Sequence, residues 1–420
     1  MTTRHPPLTA REITMLVIAG VVGLAIIALL SWASLRWSSL APGGASFFSS
    51  WAGARTYLFS DQDPYGPAAA AEAQTLAFEN ADTHSADRYR LSLPFFLVPI
   101  FFPFAVVSDP VLARALWLLI SAMALAGVIL LSLHAADWHP SRPTLVAFAL
   151  LSFFGYPSID ALGQGSPVVL LLLGYMGILW AMRTQKEELA GALLALCLCY
   201  WEVGLPFLFL VTGRVFRERR WRVLAGAGMT LGFLLLVSFL LFPGWLMPFL
   251  VATVARLRSN HGLSAAVALQ GLLPQHGIQI AAAIAIVAIG ILLFETATVR
   301  SSDARRVAWT ACFALAAAPL LGWRTQTSHL IALIPSYALI CAACVQRKRW
   351  GPALAILLMV VAYGAPWLLF WRRLALVDQL AFELLLLFPP LFALTGLYWT
   401  RWWFLRPQQT WLDEIRSSRS

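Results

Sequence analysis

Arg214–Pro243 reads RVFRERRWRVLAGAGMTLGFLLLVSFLLFP, and this stretch decides the fold. It begins with five arginines, Arg214, Arg217, Arg219, Arg220 and Arg222, and then carries no charge from Val223 to Pro243. About 20 apolar residues are needed to cross the hydrocarbon core of a bilayer as a helix. Basic residues gather on the cytoplasmic side of such a span. The stretch therefore predicts a transmembrane helix that starts inside and ends outside.

Working outward, the same unit recurs along all 420 residues. The chain is 60 % hydrophobic and 12 % charged, with mean hydropathy +0.75, whereas soluble domains carry roughly 25 % charged residues. Apolar segments at 13–35, 91–107, 111–133, 143–157, 166–182, 188–212, 222–243, 277–295, 307–322, 329–345, 350–370 and 379–399 predict an all-α, polytopic protein. The expected number of spans is about twelve, within a range of 10–13, in one transmembrane domain over 1–420. Ile13–Leu35 is too long for a signal-peptide core and reads as a retained first span.

The net charge of +10 sits in short connections between apolar runs, so it points to anionic membrane lipids and not to nucleic acid. Arg300, Arg305, Arg306, Arg347, Lys348, Arg349, Arg401 and Arg406 fall on the same side as the arginines at 214–222 when the N-terminus is cytoplasmic. The C-terminus is then cytoplasmic too. Cys197, Cys199, Cys312, Cys341 and Cys344 lie inside apolar runs without metal spacing and read as small core residues.

Two extracytoplasmic loops stand out, at 36–90 and 244–276, because connections of that length are uncommon unless they work. In the first, Phe47–Phe59 (FFSSWAGARTYLF) predicts an interfacial helix and Ala68–Asn80 a short one, with Pro67 suited to its first turn. Segments 143–157 and 166–182 predict a hairpin whose non-helical, Gly-containing tip, Ser158–Pro167, lies at membrane depth, where it must be buried in protein or line a wet cavity.

No P-loop, dinucleotide fingerprint, HExxH or CxxC occurs, so a cytosolic nucleotide chemistry has no motif behind it. The outer face holds the remaining chemistry. Asp61 and Asp63 are candidate general bases for a sugar hydroxyl, while Arg88, Arg90 and Arg324 have the fork geometry that clamps phosphate. Tyr65, Gln164 and His329 complete the candidate binding set. Each has a plainer reading: loop charges solvate a loop, a lone histidine is structural, and Gln164 satisfies backbone. Glu202 lies deep in a span, which marks a functional candidate or an ion pair within the bundle, with Arg114 or a polar residue of the tip as its partner.

The ordered pieces Phe47–Arg55, Asp63-Pro64-Tyr65-Gly66, Leu93-Pro94 to Pro103-Phe104, Ala113–Trp117, Gly163-Gln164, Ala190-Gly191, Asn260–Ser264 and Pro319–His329 resemble glycosyltransferase family 87. That resemblance implies a C-type membrane glycosyltransferase. It would be a hexosyltransferase moving a mannose-like hexose or a pentose from a polyprenyl-phosphate donor to a lipid or glycan acceptor. It also implies the plasma membrane of a prokaryote, with an extracytoplasmic active face. The family's early-loop acid has its counterpart at Ser46-Phe47, so the resemblance passes the base to Asp61 or Asp63. A Lys-Pro in the sixth span has no counterpart either; Trp201-Glu202 stands there. Some members of the superfamily use a divalent metal, but no acidic cluster here asks for one, and no cofactor is expected. Two rival readings are a lipid or glycan flippase (or other transporter) and a catalytically inactive envelope scaffold.

Overall fold

The computed structural model describes residues 10–41, 43–77, 89–198, 201–259, 265–298, 303–321, 325–347, 350–371 and 379–405. Helices dominate, and no strand occurs among the described residues. Among the described residues, five helices are long and apolar enough to cross a membrane. A sixth joins them if Arg142–Phe154 and Tyr156–Gly163, bent by 46°, form one span.

The helix order begins with α1 (Ala10–Leu40), α2 (Ala45–Ser60) and α3 (Pro67–Leu76). A 3-10 turn at Phe95–Phe101 runs into the short α4 (Phe102–Ala105). The bundle continues with α5 (Pro110–Ala135), α6 (Arg142–Phe154), α7 (Tyr156–Gly163), α8 (Val168–Arg183), α9 (Glu187–Cys197), α10 (Trp201–Arg217) and α11 (Trp221–Leu241). After α12 (Leu246–Ser259) and α13 (Ala265–Leu272) come α14 (Gly277–Thr298), α15 (Ala304–Ala317), α16 (Ile334–Arg347), α17 (Gly351–Trp371) and α18 (Gln379–Leu405).

Local chemistry sets several of these boundaries. Asp109 caps α5 by accepting from the Val111 N–H at 2.9 Å, and Pro110 takes the first helical position, where its missing N–H costs nothing. Asp303 caps α15 through the Arg306 N–H at 3.1 Å. The α6–α7 bend falls at Gly155, whose extended backbone (φ −60°, ψ 145°) ends α6 and starts α7, with Pro157 in the first turn of α7, where its missing N–H costs nothing. A Cβ on Gly155 would lie 2.6 Å from the Tyr363 ring, so the kink also lets α17 approach closely.

Exposure separates two kinds of helix. The span windows of α1 and α11 are only 6 % and 11 % buried, whereas Thr327–Gln346, leading through α16, is 94 % buried. Apolar residues such as Val21, Leu24, Met229, Phe233 and Leu240 face outward. A surface of that kind is stable against lipid and unfavourable against water.

Side-chain contacts define two ends of the bundle. At the first, Ala41, Arg114, Gly163 and Gly165 meet, beneath the segment 43–109; we term this the capped end. At the second, Arg183 donates to His134 O and Asp137, Arg305 lies 3.6 Å from Asp137, Arg217 donates to Thr296 O, and Arg306 pairs with Glu295 at 2.9 Å. This is the basic end.

Two expected spans are corrected by these contacts. Segment 91–107 does not run from one end to the other. Phe95 packs on Tyr57 with ring centroids 5.0 Å apart, Trp51 Nε1 donates to Phe104 O at 2.9 Å, and Arg55 donates to Ala105 O at 3.2 Å. The segment therefore lies along α2, and the chain re-enters at Arg114, beside the end of α1. Pro94, Pro99 and Pro103 remove donors that a long α-helix needs, which leaves a 3-10 turn and one α turn.

Segment 188–212 is two helices, not one. Cys197 at the end of α9 lies 3.8 Å from Leu171 O, and Phe207 in α10 packs 5.1 Å from Tyr175. Glu187 at the start of α9 meets Arg220, just past α10, at 3.8 Å. The pair is thus a hairpin with both open ends at the basic end. Arg183 and Lys186 join the other cationic clusters there as a result.

The first loop holds the two helices expected of it. The first, α2, is packed and not merely interfacial, since Phe47, Phe48 and Trp51 are buried. The tip predicted as non-helical is instead helical over Tyr156–Gly163, and it is buried in protein: Ser158, Gly165 and Ser166 are all covered. Cys197, Cys312, Cys341 and Cys344 are buried and form no disulfide among the described residues, while Cys199 lies outside them.

Candidate functional site

The turn from α7 into α8 inserts at the capped end between the start of α2, the start of α5 and a 3-10 turn at Thr327–Leu333. Its fit depends on Gly165, whose φ of +64° suits glycine and whose added Cβ would stand 2.5 Å from Phe47 Cβ. Trp117 Nε1 donates to Gly165 O at 3.0 Å. The N–H groups of Ser46 and Phe47 both donate to Gln164 O, at 3.1 and 3.2 Å. The first turn of α2 therefore has a backbone partner from the tip.

Arg114 locks the same junction. Its Nη1 donates to Ala41 O at 2.8 Å and its Nη2 to Gly163 O at 2.9 Å, with the guanidinium 6.0 Å from the Phe48 ring centre. The side chain is 1 % exposed, and no carboxylate pairs with it among the described residues. The partnership expected for Glu202, with Arg114 or a polar residue of the tip, falls on a side chain that lies outside the described ones.

One helical turn before Gln164 stands an acid outside the expected set of site residues. The half-buried Asp160 accepts hydrogen bonds from the Gln164 side chain, one helical turn on, and from the Ser328 N–H. His329 follows Ser328, is buried, and donates its backbone N–H to Gln326 O at 3.0 Å. Two of the expected binding residues, Gln164 and His329, are thus brought together, and Asp160 with Ser46 completes the group. The available signal was an acid four residues before a glutamine in a tip otherwise apolar.

The other expected residues lie elsewhere. Asp61 ends α2 in a left-handed conformation with φ 49°, exposed to solvent. Asp63 Oδ1 accepts from the Tyr65 N–H at 2.9 Å, forming an Asx turn. Fifteen residues of helix separate Asp61 from Ser46, about 22 Å at 1.5 Å per residue. Tyr65 is buried and donates its hydroxyl to Leu93 O at 2.8 Å, so its polar end serves the loop's own backbone. Burial first, and the neighbouring Asp63 second, hold its phenol well above the usual value. Arg90 is half-buried. Arg88 and Arg324 lie outside the described residues. No group of three His, Cys, Asp or Glu side chains converges as a metal site among the described residues.

No curated protein and no solved structure matches the chain. The model of glycosyltransferase family 87 matches residues 94–322, more than half of it. That range contains Arg114, Asp160 and Gln164 and excludes Ser46, Asp61, Asp63 and His329. On this match the chain belongs to glycosyltransferase family 87.

Proposed function

We propose that the chain transfers a mannose-like hexose, or a pentose, from a polyprenyl-phosphate donor to a lipid or glycan acceptor, in a prokaryotic plasma membrane. The capped end faces outward and both termini face the cytoplasm. The twelve crossings are α1, α5, α6 with α7, α8, α9, α10, α11, α14, α15, α16, α17 and α18. Family membership supports glycosyl transfer, and the concentration of arginines at the other end supports the orientation.

One observation carries the assignment of the base. Ser46, where the resemblance leads one to expect an acid, donates its N–H to Gln164 O, and the Gln164 side chain reaches Asp160. A carboxylate thus stands next to the vacated position, supplied by a different helix. In this reading Asp160 takes the proton of the acceptor hydroxyl as its oxygen attacks the anomeric carbon. The bond from that carbon to the phosphate oxygen breaks, and polyprenyl phosphate departs with inversion. His329 and the cationic residues of the loops, Arg90 among them, face the developing phosphate charge.

The experiment uses the full chain in nanodiscs with radiolabelled polyprenyl-phosphate mannose, arabinose or glucose and a lipid-extract acceptor. Transfer from one donor, lost in Asp160→Asn and kept in Asp61→Asn and Asp63→Asn, is the expected result. Loss in either loop variant, with Asp160→Asn active, returns the base to the loop. Transbilayer movement of lipid without a new glycosidic bond would make the chain a flippase, and neither activity in folded protein would leave a scaffold.

A further inference from the structure

At the basic end, away from the site above, a cavity of about 320 Å³ opens between α5, α8, α10 and α15. Its rim carries His134, Arg183 and Gln185, all exposed, together with Arg220. Its deeper wall is Leu131, Met176, Leu179, Met182 and Ala308. Arg214, 7 % exposed, joins the two. Arginines thus border the mouth, aliphatic and thioether groups form the interior, and no carboxylate lines it among the described residues.

The acids nearby are shared between cations. Glu218 is divided between Arg214 Nε at 2.7 Å and Arg220 Nε at 2.8 Å. Asp137 is divided between Arg183 at 2.7 Å and Arg305, outside the lining, at 3.6 Å. Glu187 lies farther off, 3.8 Å from Arg220. A cationic mouth over an apolar interior suits an anionic amphiphile.

We propose that this cavity binds one anionic phospholipid from the leaflet at the basic end. Its headgroup phosphate lies among Arg183, Arg214 and Arg220, and the first methylenes of one chain lie against Met176 and Leu179. The volume is at the lower limit of ligand pockets, about 300 Å³, so it takes a head and the start of a tail while the rest remains in the bilayer. A nucleotide fits less well. The one aromatic lining residue, Trp180, is already covered by Lys186, whose Nζ is 4.6 Å from the ring centre, and the interior has no donors to read a base. The inference is independent of glycosyl transfer.

Native mass spectrometry of delipidated full-length protein tests it, with dioleoyl phosphatidylglycerol and dioleoyl phosphatidylcholine added separately, then glycerol 3-phosphate as competitor. One phosphatidylglycerol should bind about tenfold or more tightly than phosphatidylcholine, with each arginine contributing about fivefold. Arg183→Gln, at the exposed rim, should reduce that preference about fivefold. Met176→Trp, which fills the interior without touching a charge, should abolish the tight adduct, and Leu179→Trp serves if the first variant does not fold. Equal affinity for the two lipids overturns the proposal, as does a tight adduct retained by the filled cavity. Displacement of the lipid by glycerol 3-phosphate at a similar concentration would also overturn it, leaving a plain anion site.

Discussion

The guanidinium of Arg114 donates to the carbonyl of Gly163 at 2.9 Å, joining the start of α5 to the end of α7. The other fork nitrogen holds Ala41 O at 2.8 Å, so one side chain fixes three chain segments. Hydrogen bonds from charged donors contribute about 1.5–3 kcal/mol each. Arg114→Lys keeps the charge and loses the fork, and should lower stability in detergent by about 2 kcal/mol, read by thermal unfolding. An unchanged transition would mean that charge alone, not the two-pronged geometry, holds the junction.

The nearness of Ser46 to Asp160 through Gln164 predicts a rescue. Asp160→Asn should lower sugar transfer about a hundredfold or more, the usual scale for a lost general base. Adding Ser46→Asp to that variant should recover at least part of the rate, because it places a carboxylate at the first turn of α2, where the helix dipole also favours it. The readout is initial rate at saturating acceptor; a double variant no faster than Asp160→Asn would sink the exchange.

Tyr65 predicts a structural phenotype. In Tyr65→Phe the buried Leu93 carbonyl loses its partner, at a cost of about 1–3 kcal/mol. Limited proteolysis should then cut the 61–94 region faster than in the parent, with KM for the donor little changed. A large rise in KM with unchanged proteolysis would return Tyr65 to substrate binding.

Glu295, 2 % exposed, accepts from Arg306 Nε at 2.9 Å and pairs with Arg401, tying α14, α15 and α18 at the basic end. Glu295→Gln leaves two guanidinium groups without their shared counter-charge. Breaking a buried ion pair from one side costs about 3–5 kcal/mol, so expression of folded protein should fall sharply. Near-parental stability, measured by the same unfolding assay, would show those arginines finding other acceptors.

Much of the scaffold was readable from residues alone. Pro67 started α3 as expected, and α5 and α11 announced themselves by length and apolar content. The prolines at 94, 99 and 103 were visible but were taken as punctuation within a span, when three of them in ten residues leave too few amide donors for one. The turn between α9 and α10 carries no Gly or Pro; a uniformly apolar run gives no period from which to see a reversal. Of the candidate residues, Gln164 and His329 lie on segments that the fold packs together at the capped end. The pairing of Asp160 with Ser328 spans 168 residues, and no local pattern encodes it. Asp61 and Asp63 stand out by their place in the loop, and the length of α2 separates them from Ser46.

The hairpin of α9 and α10 has a topological consequence. In the proposed topology one crossing is removed at Phe95–Ala105 and one is added by splitting 188–212 into α9 and α10, so parity is conserved and both termini keep their expected side. A reporter fused to either terminus would read the same for both maps. Only the chain between the two changes is inverted, so the proposed orientation puts the turn at Asp137–Ser141 and the one at Thr184–Lys186 on the cytoplasmic side. A cysteine introduced at His139, labelled from outside intact cells or only after lysis, distinguishes the two arrangements in a single measurement.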